Sequence, residues 1–208
     1  CACLVGSEMC IRDREVIVTH MHPDHAGCIK YFDKVWMHRA DTVLVPQHAA
    51  DYQGEFLYME EGQVFDLGGR RLEVAWMPGH TPGSVVLLDK ANGDCYSGDA
   101  FGSGEVWLQC VPMSPIATFH ESCCRMEKLM KEGHIKDIWC GHYPYLKSSL
   151  PLAYIQTMIR ISHRLMNGDQ EGSEPYSNYF IKMPPTARKL AEGRAMIVYD
   201  STNIPEAR

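Results

Sequence analysis

The chain has 208 residues, of which 45% are hydrophobic and 22% charged, and its formal net charge is −6. This composition is typical of a globular domain and excludes collagen, a coiled coil and wholesale disorder. No apolar stretch approaches the roughly 18 residues of a membrane span, and the acidic balance argues against a general binder of nucleic acid or anionic membranes.

The first fourteen residues differ in character from the rest of the chain. The segment Cys3–Arg14, CLVGSEMCIRDR, is what one reading frame of a common transposon sequencing adapter encodes. It lacks the basic start and long apolar run of a signal peptide. We therefore interpret residues 1–14 as an adapter-derived segment that is not native, and residues 15–208 as a domain that lacks its first strands.

From residue 15 to residue 76 the chain alternates between strand and helix patterns, with turn residues between them. In chain order the predicted elements are strand Glu15–Thr19, helix Asp24–Tyr31, strand Lys34–Met37, helix Arg39–Val45 ending before Pro46, an irregular stretch His48–Gly62, and strands Gln63–Asp66 and Arg70–Trp76. The first strand is β-branched and is predicted to be buried. The last two strands flank Gly68-Gly69, which is a hairpin signal.

The second part of the chain continues the same alternation. Its predicted elements are the hairpin strands Ser84–Asp89 and Asp94–Ser97, a helix from Ser114-Pro115 to Lys131, strand Lys136–Cys140, helix Leu152–Met166, a loop Asp169–Asn178 and strand Arg194–Tyr199. Ser114 is predicted to cap the first helix and Pro115 to occupy its first turn. Strands interleaved with helices indicate the α/β class.

A cluster of candidate metal ligands directly follows the first predicted strand. His20, His22, Asp24 and His25 form the pattern HxHxDH. Neutral imidazoles and carboxylates suit zinc and similar divalent ions. Pro23 ends the strand and favours the sharp turn that would bring these side chains together.

Three further candidate ligands each follow a predicted strand and stand beside glycine. His80 lies in PGHTPGS, Asp99 in YSGDAF and His142 in CGHYPY. Side chains at strand ends can converge at one edge of a sheet. The sequence therefore predicts a single centre built from loops that are distant in the chain.

The series HxHxDH, GHTPG, SGDA and GH, in this order, resembles the metallo-β-lactamase superfamily, and the resemblance implies an αββα sandwich. It implies one metal ion held by His20, His22 and His80. It implies a second held by Asp24, His25 and His142, with Asp99 bridging the two. The expected cofactors are two divalent ions, in the first place zinc, with iron or manganese as alternatives.

The resemblance also implies a reaction. Metal binding lowers the pKa of water to about 7, so a metal-bridging hydroxide would attack an ester, thioester or lactone carbonyl. Asp24 would orient the hydroxide and relay a proton to the leaving group. We expect Tyr143, next to His142, to donate a hydrogen bond to the developing oxyanion.

Two positions in these motifs limit which branches of the superfamily the sequence resembles. His22 stands where the oxygen-reducing diiron branch has Glu, and Asp99 where the best-known class of β-lactamases has Cys. The pattern is most similar to the glyoxalase-II-like and lactonase branches, although GHYPYLKSS departs from glyoxalase II after GH. A mononuclear iron persulfide dioxygenase, a β-lactamase and a non-catalytic member of the fold remain alternatives.

The expected partner is a small-molecule substrate, with no nucleic acid and no membrane, and the sequence does not indicate an oligomeric state. We expect Tyr52–Met59, Phe101–Met113 with Trp107, and Glu171–Tyr179 to form the pocket walls. Cysteines without a disulfide or zinc-finger pattern favour a reducing, cytoplasmic location.

The remaining histidines and cysteines are predicted to have no catalytic role. The histidines are expected on the surface or in packing positions; they are His38, His48, His120, His134 and His163. The vicinal pair Cys123 and Cys124 is expected to behave as two small buried hydrophobic residues.

Overall fold

The computed structural model describes residues 15–179 and 182–205, so the fourteen residues interpreted as adapter-derived lie outside the described part. The strands are β1 (Glu15–Ile17), β2 (Lys34–His38), β3 (Glu55–Met59), β4 (Val64–Asp66), β5 (Arg71–Trp76), β6 (Val85–Asp89), β7 (Asp94–Gly98), β8 (Glu105–Trp107), β9 (Asp137–Cys140), β10 (Glu174–Pro175), β11 (Ala187–Glu192) and β12 (Ala195–Asp200). The helices are α1 (Pro23–Ala26), α2 (Val45–His48), α3 (Ile116–Lys131), α4 (Tyr143–Leu146) and α5 (Leu152–Met166). Short 3₁₀ segments cover Ile29–Tyr31, Arg39–Leu44 and Ser201–Asn203.

The strands form three sheets. A parallel sheet has the order β1-β2-β3, a five-stranded sheet has the order β4-β5-β6-β7-β9, and a four-stranded sheet has the order β10-β11-β12-β8. The five-stranded sheet is antiparallel from β4 to β7 and parallel between β7 and β9. This mixture of helices and sheets confirms the predicted α/β class.

Side-chain alternation along β6 explains how the layers stack. Successive side chains of a strand point to opposite faces. Val85 and Leu87 belong to a core cluster that also takes in Ile17 and Trp36 of the three-stranded sheet. Val86 and Leu88 belong to the cluster that contains α3 and α5. The five-stranded sheet is therefore covered on both faces, which is why β6 is a continuous apolar run.

The other face of the three-stranded sheet is covered by the short helical segments near residues 23–49. Val35 and Met37 pack there with Ala26, Ile29 and Leu44. The layers are thus helical segments, three-stranded sheet, five-stranded sheet and the α3–α5 pair, which is the predicted αββα order. None of the helices in the described ranges is long and apolar enough to cross a membrane.

Several predicted elements need correction. The helix predicted for residues 24–31 divides into α1 and a 3₁₀ turn, with Gly27 between them. The second predicted helix does not end before Pro46, because α2 includes that proline in its first turn, where a missing N–H costs little. Ser114 is not the cap of α3; Pro115 occupies that position and no side chain caps the helix.

Strands were missed where the chain lacks clean alternation. The stretch predicted as irregular contains β3, which pairs in parallel with β2. The predicted pocket wall 101–113 contains β8, and β11 lies in a segment for which no element was predicted. The first strand is also less buried than expected, since Glu15 is exposed and Val16 and Ile17 are half-buried.

Candidate metal centre

Five of the seven predicted metal ligands lie in loops directly after strands, and the other two, Asp24 and His25, lie in the short helix α1 that follows β1. Two backbone hydrogen bonds bring these loops together. Val85 N donates to Thr19 O at 2.9 Å, joining the HxHxDH loop to the start of β6, and Gly141 N donates to Gly98 O at 2.8 Å. The second bond continues the parallel pairing of β7 and β9, so Asp99 and His142 emerge at the same edge.

The first group of ligands consists of His20, His22 and His80. One ring nitrogen from each lies within 4.8 Å of the others. His22 Nδ1 and His80 Nε2 are 2.9 Å apart. His20 and His80 are buried, with exposed fractions of 2% and 6%.

The second group consists of Asp24, His25, Asp99 and His142, whose ligand atoms also lie within 4.8 Å of one another. Asp99 Oδ2 is 3.0 Å from His142 Nε2 and 3.3 Å from His25 Nε2. The same oxygen is 3.9 Å from His80 Nε2 in the first group. Asp99 therefore stands between the two groups, as the sequence predicts.

A backbone carbonyl fixes the orientation of His80. His80 Nδ1 lies 2.8 Å from Trp107 O. A carbonyl can only accept, so Nδ1 carries the proton and Nε2 presents its lone pair to the cluster. The predicted pocket residue Trp107 thus contributes through its main chain in β8.

Asp41 is a residue that sequence reasoning did not identify. Its side chain is fully buried and accepts hydrogen bonds from Met21 N at 2.9 Å, Thr81 Oγ1 at 2.9 Å and Gly83 N at 2.5 Å. Met21 lies between His20 and His22, and Thr81 follows His80. The carboxylate therefore joins the two loops that carry the first ligand group.

The two ligand groups differ in the pKa shifts of their side chains. Burial, reinforced by neighbouring imidazoles, lowers the pKa of His20 well below its usual value and that of His22 to about 3. Burial also lowers the pKa of His80. Three neutral imidazoles therefore face one another at neutral pH, and neutral imidazole is the form that binds metal.

The second group is arranged around carboxylates. Hydrogen bonding to Asp24 and Asp99 raises the pKa of His142 to about 10. Burial alone would raise the pKa of Asp99, but His142 and His25 hold it well below its usual range. The same His142 lowers the pKa of Asp24. Both carboxylates are ionised at neutral pH and attract a cation.

The residues fit a divalent metal. His20 Nε2 and Asp99 Oδ1 are buried and have no hydrogen-bond partner within residues 15–179 and 182–205. A buried polar atom without a partner costs free energy, and a cation contacting these atoms would remove that cost. Imidazole and carboxylate donors suit zinc, iron or manganese.

The other residues predicted for the site are Tyr143 and the pocket walls. Tyr143 begins α4 directly after His142, is 40% exposed, and has its ring centroid 5.6 Å from that of Trp139. The predicted walls around Trp107 and Tyr176 meet, since their ring centroids are 6.0 Å apart. In the wall predicted at 52–59, Tyr52, Phe56 and Tyr58 are half-buried against a core cluster and Met59 is buried.

One of the residues predicted to be inert differs from expectation. His48 occupies a packing position, as predicted, with its ring centroid 5.9 Å from that of His22. Cys123 is buried as predicted, but the prediction for Cys124 is wrong, because that side chain is exposed. Helical geometry explains this difference, since consecutive residues on α3 face different directions.

Comparison with protein families gives a match to the model described as metallo-beta-lactamase superfamily, over residues 14–120. The chain is 28% identical over 154 residues to human acyl-coenzyme A thioesterase MBLAC2, covering 61% of this chain and 55% of that protein. It is 29% identical over 141 residues to hydroxyacylglutathione hydrolase of Aeromonas salmonicida (strain A449), covering 67% of this chain and 51% of that protein. The chain thus spans about half the length of these curated relatives.

Solved structures give the same fold. A metallo-beta-lactamase family protein from Thermus thermophilus, TTHA1429, aligns with a TM-score of 0.56 and 16% identity, covering 77% of this chain and 65% of that one. TTHA1623, solved in a di-iron-bound form, aligns with a TM-score of 0.51 and 26% identity, covering 66% of this chain and 71% of that one.

Proposed function

The chain belongs to the metallo-beta-lactamase superfamily, and from that premise we propose that it is a metal-dependent hydrolase of thioesters. The observation that carries the proposal is the pair of adjacent ligand groups with Asp99 between them. The thioester is favoured over the ester and lactone because the curated relatives are named for thioester hydrolysis.

We assign the metal ligands as the resemblance implies. His20, His22 and His80 would hold one divalent ion; Asp24, His25 and His142 would hold a second, and Asp99 would contact both. The division of the seven side chains into two compact groups supports two ions over one. The di-iron form of the similar TTHA1623 supports keeping iron beside zinc and manganese as the candidate metals.

Bound divalent ions supply a water of lowered pKa and polarise the carbonyl oxygen of the substrate. The chain's own contribution begins with the neutral imidazoles of the first group, whose positions are fixed by burial, by Trp107 O and by Asp41. A cluster held in this way requires little reorganisation when charge develops during the reaction.

Asp24 is the carboxylate on the open side of the centre. Its side chain is 54% exposed, and its Oδ2 lies 3.3 Å from His142 Nε2. We propose that Asp24 orients the attacking water, accepts the proton that this water loses, and passes the proton to the leaving group. A thiol leaving group has a pKa of about 8.5, so it departs as a thiolate with little assistance. A weakly basic carboxylate such as Asp24 is therefore sufficient for the proton transfer.

The test is hydrolysis of two thioester classes by the purified chain, an acyl-coenzyme A and a 2-hydroxyacyl-glutathione, followed by a thiol-specific reagent. The protein is first stripped of metal and then loaded separately with zinc, iron or manganese. We expect thiol release only after loading. Equal rates in stripped and loaded protein would contradict metal dependence, and cleavage of a lactone or β-lactam in preference to both thioesters would contradict the substrate class.

The iron dioxygenase alternative is separated by the same samples. A persulfide dioxygenase oxidises the outer sulfur of a persulfide to sulfite, consuming one O₂ and also releasing a thiol, whereas a hydrolase consumes no oxygen. We expect the iron-loaded protein to release thiol from a thioester and to take up no oxygen when it is given a glutathione persulfide; oxygen uptake with the persulfide would favour the dioxygenase.

A further inference from the structure

Where α3 packs on α5, away from the candidate metal centre, lie two histidines and a cysteine, which are residue types that bind metal ions. His120 and Cys124 are one helical turn apart on α3, and His163 faces them from α5. His120 Nε2 is 3.5 Å from Cys124 Sγ. The ring centroids of His120 and His163 are 6.0 Å apart.

The hydrogen bonds of Ser162 determine the tautomer of His120. Ser162 Oγ has one proton, which it donates to Met158 O at 2.7 Å. The 2.9 Å contact with His120 Nδ1 must therefore run the other way, with Nδ1–H donating to Oγ. This leaves the lone pair of His120 Nε2 directed at the sulfur of Cys124.

The spacing of these atoms matches one edge of a tetrahedral metal site. Zinc lies about 2.3 Å from sulfur and about 2.05 Å from imidazole nitrogen. At a tetrahedral angle these lengths place nitrogen and sulfur about 3.6 Å apart, close to the observed 3.5 Å. Both side chains can therefore bind one ion after a rotation that turns the Nε2 lone pair from the sulfur toward the ion.

His163 is exposed, and its ring nitrogens lie 3.4 and 3.5 Å from Asn167 Nδ2, so its side chain would have to rotate away from Asn167 to join the same ion. Two imidazoles on one tetrahedral ion have ring centroids about 5 Å apart, compared with 6.0 Å between His120 and His163 here. The groove beside these residues has a volume of about 440 Å³, and His120, His163 and Ile159 contribute to its lining. The groove opens the site to solvent and to ions.

The surrounding charges do not oppose a cation. Arg160 and Arg164 line the groove, but Arg160 is paired with Glu192 and Arg164 with Asp169. On α3, Glu121 and Glu127 lie near Cys124 and, together with burial, raise the pKa of its thiol. A metal ion must therefore displace the thiol proton to solvent, which is the usual consequence of thiolate coordination.

We propose that His120, Cys124 and His163 form a second metal site for a thiolate-binding cation, in the first place Zn²⁺. Two imidazoles and one thiolate are ligands that this ion prefers, with solvent as the fourth. The site would join α3 to α5. Because Ser122 on α3 donates to Pro78 O in the loop that carries His80, the same ion would also stiffen the support of the candidate centre.

The test uses Co²⁺ as a spectroscopic probe of the whole chain. A cobalt–thiolate bond produces a near-ultraviolet charge-transfer band, which imidazole and carboxylate ligands do not. The proposed ligands of the candidate centre contain no sulfur. Cys1, Cys3 and Cys10 are changed to Ser in every sample because they are thiols as well, and the part of the band that depends on Cys124 then reports the second site. We expect the band in the otherwise unaltered protein and its loss in both Cys124→Ser and His120→Gln, with circular dichroism confirming that both variants are folded.

Cys110→Ser is the matched control, because Cys110 lies near Asp24 of the candidate centre and its charge environment includes that residue. We expect this variant to retain the band. We expect His163→Gln to weaken Co²⁺ binding more than about tenfold, because even the loss of a hydrogen-bond partner of a ligand costs about that much and His163 is proposed as a direct ligand. The proposal is overturned if the otherwise unaltered protein shows no band, if Cys124→Ser retains it, if Cys110→Ser removes it, or if His163→Gln leaves the affinity unchanged.

Discussion

Asp41 shows how much one residue without metal contact can contribute to the candidate centre. We predict that Asp41→Asn weakens metal binding about 10- to 100-fold, the range observed when outer partners of ligands are changed. Asp41 accepts from three groups, Met21 N–H, Thr81 O–H and Gly83 N–H. The NH₂ group of an Asn side chain would face at least one of these donors, and that hydrogen bond would be lost. Leaving a buried group unpaired should also lower the free energy of unfolding by about 1–3 kcal/mol.

Asp66→Asn is the control for this prediction, because Asp66 is exposed and, among the described residues, its side chain accepts a local hydrogen bond from Gly68 N. Calorimetric metal titration and urea unfolding measure both effects. Metal affinity in Asp41→Asn equal to that of Asp66→Asn would show that the two loops hold their positions without the buried carboxylate.

Tyr143 carries the second prediction at this scale. If its hydroxyl stabilises the developing oxyanion, Tyr143→Phe should lower kcat about 10²- to 10³-fold with little change in KM, since one oxyanion donor contributes that much. Tyr31→Phe is the surface control, because Tyr31 is 63% exposed. Steady-state kinetics on a thioester decide the matter, and an unchanged kcat in Tyr143→Phe would remove this residue from the catalytic set.

The sequence was sufficient to single out the seven side chains that the fold brings together, because each stands in a short motif that follows a strand. It was not sufficient for Asp41, which lies within the 3₁₀ segment 39–44 and meets its partners only after the chain folds. The carbonyl of Trp107 could not be predicted either, because any residue offers a carbonyl and only the position of β8 brings this one to His80.

At the scale of elements, the ends of β1 and β7 approach so closely that only glycine fits at residue 98. Gly98 has a φ of +50°, and a Cβ there would overlap Thr19 Oγ1 and lie 2.7 Å from Thr19 Cβ. Thr19 precedes His20 and Gly98 precedes Asp99. The spacing between the two ligand loops is therefore set by this contact.

We predict that Gly98→Ala lowers the free energy of unfolding by about 2–5 kcal/mol and weakens metal binding, because about 1–3 kcal/mol of overpacking adds to the cost of a left-handed backbone, about 1–2 kcal/mol. Gly62→Ala is the matched variant, since Gly62 has a φ of +76° and a Cβ added there would have nothing within 4 Å. Its free energy of unfolding should fall only by the backbone cost. If urea unfolding gave equal decreases for Gly98→Ala and Gly62→Ala, the ends of β1 and β7 would be free to move apart.

Elements were predictable where local pattern and final environment agree. The helix Leu152–Met166 and the hairpin of β6 and β7 follow from amphipathic spacing and from an Asn-Gly turn. The strand β3 was missed because its aromatic side chains do not alternate with polar ones, and its pairing with β2 is parallel and non-local. The strand β11, ARKLAE, is polar at most positions, and its pairing with β12 comes from the sheet and not from its own pattern.

For the whole molecule, the metal centre joins loops from both sheets of the sandwich, so metal binding should stabilise the entire fold. We predict that chelation lowers Tm and that added zinc restores it. Ligand at 100 times its Kd stabilises a protein by about 2.7 kcal/mol. Thermal unfolding monitored by circular dichroism measures the shift.

His20→Ala provides the control, because it removes a buried ligand of the first group. Its Tm should respond to zinc much less than that of the unaltered chain. A Tm that does not change with chelator in the unaltered chain would contradict the claim that metal binding couples the two sheets.

We propose that Asp99, between the two ligand groups, holds the metal on which thioester hydrolysis depends. The most direct measurement compares kcat/KM for thioester hydrolysis, together with bound metal per chain, in Asp99→Asn and in the exposed control Asp66→Asn. We predict that Asp99→Asn loses bound metal and at least roughly a hundredfold in kcat/KM, while Asp66→Asn keeps both. Full thioesterase activity and full metal content in Asp99→Asn would contradict the account.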